Sequence, residues 1–160
     1  MKGQMVVETT VKVAAEEFWD AYRDIKRVRI LHELLGEMVG EPRVEHGDGG
    51  VGTIVSIANP PEAFWGKSDT KELYRMIDDE KRITEVEFIE GGLKDLGFDY
   101  LLTRAEIIEK DPQTTIVKST VDYEIDDKLA HKVSLVKMEY FQTAIEAIAK
   151  YLNTERKASA

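Results

Sequence analysis

The stretch "DKLAHKVSLVKMEYFQTAIEAIAKYLN", residues 127–153, decides the fold. It contains no Pro or Gly and carries apolar residues at helical spacing. Val133, Val136, Tyr140, Ala144, Ile148 and Tyr151 recur at intervals of three and four. Asp126 and Asp127 suit a helix start, because carboxylates cap free N–H groups and favour the positive end of the helix dipole. Asn153 suits a stop. The spacing therefore predicts one helix from about Asp127 to Asn153. At about 1.5 Å per residue, about 26 residues span roughly 39 Å, longer than most globular helices. Such a helix needs a large partner surface. The chain before it reads mostly as strands, so a curved sheet wrapped around one long helix is the expected architecture.

The rest of the sequence limits what that architecture can serve. A chain of 160 residues fits one domain with a real core. We expect that domain at 1–153, with "TERKASA" at 154–160 as a frayed tail. There are 31 acidic and 22 basic residues, a net charge of -9. An acidic surface argues against nucleic acid or an anionic membrane as the main partner. Cysteine is absent, which excludes disulfides and thiolate chemistry. The opening "MKGQMVVETTVKV" lacks a signal-peptide apolar block, and no run is long enough to span a bilayer. The expected setting is cytoplasmic, and the expected state a monomer or weak dimer.

In order, residues 4–13 alternate as a strand. "AAEEFWDAYRDIKRVRILHELL" predicts helix from Ala14 to Leu35, broken near Asp24 to Arg27 into a V of two short helices. Glu37 to Glu45 reads as a strand, with Pro42 placing it at an edge. "HGDGGVGT", His46 to Thr53, has glycines that call for positive φ. Strands are expected at Thr53–Ala58, Thr70–Ile77, Arg82–Glu90, Phe98–Lys110 and Thr115–Ile125, mostly with turn signals between them. The pattern is α+β: an antiparallel meander with a helix pair inserted after strand one. Three helices cannot cover one sheet face fully, so a cavity between sheet and long helix is expected.

At the glycine loop a resemblance enters. "GDGGVGTI", then "IEGG", "LKDLGF" and "DYLL", then "VKSTVDYEID" before the long helix, resemble the plant pathogenesis-related class 10 superfamily, the Bet v 1 fold. "MKG", "DEKRI" and "STVDYEID" are similar to its norcoclaurine synthase branch. The resemblance covers roughly 5–152. It implies a helix-grip fold: a seven-stranded antiparallel sheet around a long C-terminal helix, two short helices and an internal hydrophobic cavity. It also implies roles in plant defence or alkaloid metabolism. Synthases of that branch join a phenethylamine to an aldehyde through an iminium, without a cofactor. Their working groups are a tyrosine and a glutamate two residues apart, a lysine on the next strand and an aspartate on the strand after. Carried over position by position, the resemblance puts Thr70 at the tyrosine, Glu72 at the glutamate, Thr84 at the lysine and Thr103 at the aspartate. Only Glu72 keeps the family's group.

Strand alternation then gives the expected pocket. If Glu72 faces inward, so do Thr70, Tyr74 and Met76. Thr84, Val86 and Phe88 share a face on the next strand, and Leu101, Thr103, Ala105 and Ile107 on the one after. Val133, Val136, Tyr140 and Ala144 close the other side, and Phe64 and Trp65 could cap an entrance. Thr70, Tyr74, Thr84, Val86, Phe88, Leu101, Thr103, Val136 and Tyr140 are the expected ligand contacts. An inward carboxylate is costly without a partner, so Glu72 is the candidate acid/base or anchor for a ligand amine. His32, His46 and His131 have no metal-ligand spacing, so no metal is expected. The loop at 47–54 lacks the Lys-Ser/Thr of a phosphate-binding loop. Two functions fit: binding of a small hydrophobic or aromatic ligand (an amine, alkaloid or phytohormone-like molecule), and a cofactor-free condensation or related isomerisation using Glu72.

Overall fold

Strand order is β1-β7-β6-β5-β4-β3-β2 in a single seven-stranded sheet, every neighbouring pair antiparallel. The computed structural model describes residues 1–61, 63 and 68–159. The strands are β1 (Lys2–Val11), β2 (Glu41–His46), β3 (Ile54–Ala58), β4 (Thr70–Asp78), β5 (Ile83–Glu90), β6 (Phe98–Asp111) and β7 (Thr114–Ile125). Helices α1 (Ala15–Tyr22) and α2 (Lys26–Leu35) come after β1, and α3 (Glu139–Ser159) ends the described chain. Strands β2 to β7 form the expected meander, and β1 returns to pair with β7. The expected Phe64 and Trp65 cap lies outside the described residues.

Local chemistry explains most boundaries. The V between α1 and α2 opens where predicted, because the Asp24 carboxylate accepts the Lys26 amide at 2.9 Å and starts a new helix. Pro42 sits on β2, an edge strand, where a missing N–H costs no ladder bond. β2 begins later than predicted, at Glu41. The amides of Met38 and Val39 both bond to the Leu35 carbonyl at 2.8 Å, which holds this segment in a turn after α2. The acidic turn after β4 also has a structural task. Asp79 accepts from Trp19 Nε1 at 2.8 Å and from Arg23 Nε at 2.8 Å, tying α1 to the sheet.

Gly47, Gly49 and Gly52 take positive φ, as the glycine loop was expected to require. Four of its amides are engaged internally. Gly49 N donates to Thr53 Oγ1 at 2.8 Å, Gly50 N to Asp48 Oδ1 at 2.9 Å, and Gly52 N to the Tyr74 carbonyl at 2.8 Å. Thr53 N completes the set on the Gly50 carbonyl at 3.1 Å. With these donors taken, and an aspartate inside the loop, the turn offers no ready cradle for an anion.

The C-terminal element differs from expectation. Asp126 does cap a helical start, accepting the Lys128 amide at 2.9 Å. The helix it starts is a 3-10 segment, Asp127–Leu135, which gives way to extended backbone at Val136 (φ -75, ψ 106). Only at Glu139 does the α-helix begin, and it runs past Asn153 through the expected tail to Ser159. Its 21 residues span about 31 Å. Leu129 packs against Gly97 and Val136 is buried in the core. The buried stripe of α3 is Phe141, Ala144, Ile145, Ile148 and Ala149, which keeps Ala144 and Ile148 of the predicted face, while Tyr140 lines the pocket.

Two packed clusters result. The larger joins α1 and α3 to β6 and β7, around Phe18, Leu101, Val121, Ile145 and Ile148. The smaller joins the α2 end to β3, β4 and β5, through Ile25, Val28, Val55, Ile57, Tyr74 and Val86.

Candidate functional site

Where these two clusters approach, the structure contains a pocket of about 70 Å³. Its sheet wall comes from β3 to β6 and includes Ile57, Thr70, Glu72, Val86, Phe88 and Thr103. Tyr22 of α1, Arg27, Val28 and Leu31 of α2, and Tyr140 and Phe141 of α3 supply the helical wall. Met38, Val39, Asn59 and Ala63 also line it. The lining is mainly apolar with a few polar groups, the usual makeup of a small-molecule site.

Register places these side chains. Glu72 pairs with Val55 on β3 and Phe88 on β5, so its carboxyl shares the inner face with them. Thr103 pairs with Val86 and donates to the Val86 carbonyl at 3.3 Å. The Thr70 hydroxyl accepts from Asn59 Nδ2, whose amide also donates to the Ser68 carbonyl at 3.0 Å. Thus Thr70, Glu72, Val86, Phe88, Thr103 and Tyr140, all expected contacts, are brought together.

Four expected contacts lie elsewhere. Tyr74 is fully buried in the smaller cluster, and Leu101 and Val136 belong to the larger one. Thr84 is 1% exposed, and its hydroxyl donates to the Arg23 carbonyl at 3.3 Å. Alternation alone could not separate pocket wall from packed core, since both share one sheet face. It also misplaced Met76. The β4–β5 register shifts between Tyr74 and Met76, so Met76 opposes Glu85 and Ile77 takes the inner position opposite Thr84. Ile77, not Met76, packs on the larger cluster.

Glu72 is the carboxylate that lines the pocket. Its Oε2 is sealed from solvent and accepts no hydrogen bond. Burial raises its pKa to about 7, and the Arg27 charge only partly pulls it back. A carboxyl so placed exchanges its proton near neutral pH. Tyr74 and Tyr140 are likewise pushed upward, chiefly by burial, so both phenols stay protonated.

Arg27 is the charged pocket residue that the sequence reading missed. It is 8% exposed, and its Cζ lies 4.6 Å from the Tyr22 ring centre and 5.3 Å from that of Tyr74. Burial opposes its charge, while Tyr74, Tyr22 and Glu72 more than offset that and raise its pKa. The available signal was its place in α2. Arg27 lies one turn before Leu31 and beside Val28, on the buried stripe of the helix.

His32 meets the Val39 carbonyl through Nδ1 at 2.9 Å, a structural bond. Among the described residues, no group of three His, Cys, Asp or Glu could hold a metal ion. Among them too, no helix is long and apolar enough to cross a membrane.

Comparison with known proteins gives this geometry a family. The chain is 36% identical over 152 residues to norbelladine synthase of Narcissus pseudonarcissus, covering 95% of this chain and 93% of that protein. It is 33% identical over 158 residues to S-norcoclaurine synthase 1 of Papaver somniferum, covering 98% of this chain and 68% of that one. The fold matches norcoclaurine synthase from Thalictrum flavum in complex with dopamine and hydroxybenzaldehyde, with a TM-score of 0.83 and 25% identity. That match covers 96% of this chain and 88% of that one. The model of the pathogenesis-related protein Bet v 1 family matches residues 1–155, and with nearly the whole chain inside that match, this protein belongs to the family.

Proposed function

We propose that this protein is a cofactor-free enzyme that condenses an aromatic amine with an aromatic aldehyde, with Glu72 as its proton-transfer group. One observation carries the reading: a sealed carboxylate oxygen without a partner, on a carboxyl raised to about 7, in a mainly apolar pocket. The likeness to norbelladine and norcoclaurine synthases supports it. Attack of the amine nitrogen on the carbonyl carbon gives a carbinolamine. Loss of water then gives the imine. Protonated Glu72 gives a proton to the departing hydroxyl, and its carboxylate takes one from nitrogen, so the group ends as it began.

The pocket's size sets a condition. A dry cavity of about 150 Å³ accommodates benzene, so about 70 Å³ requires the walls to part for an aromatic substrate. Met38, 39% exposed, is the lining residue with most freedom to yield.

The test is incubation with dopamine or tyramine plus 4-hydroxybenzaldehyde, with borohydride trapping of imine and chiral analysis of any ring-closed product. Product above the uncatalysed rate, lost on Glu72→Gln with the fold intact, is expected. Product at the background rate, and racemic where ring-closed, would sink the reading for these substrates. A second reading, ligand binding without turnover, is favoured by a separate observation: among the described residues no lysine lines the pocket, and Thr84 is sealed outside it. Saturable binding with no product supports that alternative.

A further inference from the structure

We infer that Arg27 is the anchor for a carboxylate group on an aromatic ligand. The inference rests on the reading of this pocket as the ligand site and goes beyond the condensation by adding a further ligand class, an aromatic carboxylate. Arg27 lines the pocket, yet more than nine-tenths of it is buried. Its charge rests on the rings of Tyr22 and Tyr74. Ring faces stabilise a cation but leave the in-plane N–H donors of a guanidinium without acceptors. Four arginines pair with a carboxylate: Arg23 with Asp79, Arg75 with Glu87, Arg104 with Glu85, Arg156 with Glu17; Arg29, Arg43 and Arg82 have no ion pair among the described residues but are exposed or half-buried. Those four are surface or partly exposed groups, where pairing gains least. Arg27, where pairing would gain most, has no carboxylate in ion-pair contact among the described residues.

Glu72 does not close that gap. It lines the same pocket and is felt by Arg27 electrostatically, but its Oε2 accepts no hydrogen bond from the guanidinium or anything else. The Tyr74 hydroxyl is near enough to interact with Arg27, yet it too is buried without a hydrogen-bond partner of good geometry. A buried cation with no carboxylate in ion-pair contact among the described residues, facing an apolar wall of Leu31, Val86, Phe88 and Phe141, is the recognition geometry for an aromatic ring bearing a carboxylate. Guanidinium matches carboxylate in a bidentate fork, which an amide or alcohol cannot reproduce. Glu72 accommodates the second anion by holding its proton.

The experiment is calorimetric titration of the full chain with 4-hydroxyphenylacetate and with its uncharged isostere, 4-hydroxyphenylacetamide, at about pH 6, where Glu72 is mostly protonated. The native chain is expected to prefer the acid by about tenfold or more. Arg27→Met should abolish that preference while still binding the amide, and Arg27→Lys should keep part of it. Circular dichroism checks that each variant is folded. If the acid binds no better than the amide, or Arg27→Met keeps the preference, the inference is overturned. Amide binding without acid preference removes the role of Arg27 and leaves the pocket as the ligand site. If neither molecule binds, the inference also fails, and the condensation assay separately decides the proposed function.

Discussion

Glu72 of β4, with Oε2 sealed from solvent, and Arg27 of α2, buried, line one pocket with opposite charges and do not form an ion pair. Burial therefore dominates Glu72, and Arg27 acts on it through its charge without a hydrogen bond to Oε2. Several measurable properties depend on that separation.

Folding stability should carry the signature of Glu72. Its folded pKa, about 7, is above the ordinary value of 4.5. The folded state thus holds the proton over a range where the unfolded chain has released it. The contribution is complete below the unfolded value and is lost as pH rises through about 7. Urea unfolding of Glu72→Gln against the native chain should show little difference near pH 4. The variant should gain up to roughly 3 kcal/mol in relative stability by about pH 8. A difference independent of pH would contradict the raised value.

Arg27→Met should move the Glu72 carboxyl further upward, because the one charge that lowers its pKa is gone. Carbon-13 NMR of labelled glutamate, or the pH profile of condensation, should show the inflection above its native position. The same variant should lose stability in urea unfolding, since the contacts of Arg27 with Tyr74, Tyr22 and Glu72 outweigh the cost of burying its charge. A downward move of the inflection would mean that Arg27 does not face Glu72.

Met38→Ala should ease entry into the pocket. Met38 is partly exposed, so its truncation should cost under about 1 kcal/mol in urea unfolding. Affinity for ring-bearing ligands, read by calorimetry, should rise several-fold. An unchanged affinity would place the route of entry elsewhere.

Two glycines separate crowding from backbone strain. A Cβ on Gly91 would lie 1.7 Å from the Asp69 carbonyl oxygen, at φ +74, whereas one on Gly52 meets nothing within 4 Å at φ +89. Gly52→Ala should cost about 1 kcal/mol. Gly91→Ala should cost several times more or prevent folding, since backbone must move to admit it. Thermal melts of the two variants give the comparison directly.

Much of the fold was legible in the chain itself. Seven strands, the helical V and the edge position of β2 come from alternation, the Asp24 start signal and Pro42, all of which act within a few residues. Glu72 was legible too: alternation and the family pattern both pointed it inward, and it lines the pocket. The interruption at Val136 was not, because Val133, Val136 and Tyr140 keep helical spacing across it. Nor was the inward turn of Ile77, which depends on one extra residue in the β4–β5 register.

The sequence by itself determined the strand count, the helix pair, the inward face of β4 and the residue type at each position. Those are local properties, set by period, propensity and capping. Only the tertiary structure decided that Arg27 of α2 meets Glu72 of β4 across a pocket while Tyr74, Thr84, Leu101 and Val136 go to packed positions. That choice depends on which inner-face side chains the helices cover and which they leave open, and contacts between residues far apart in the chain decide it.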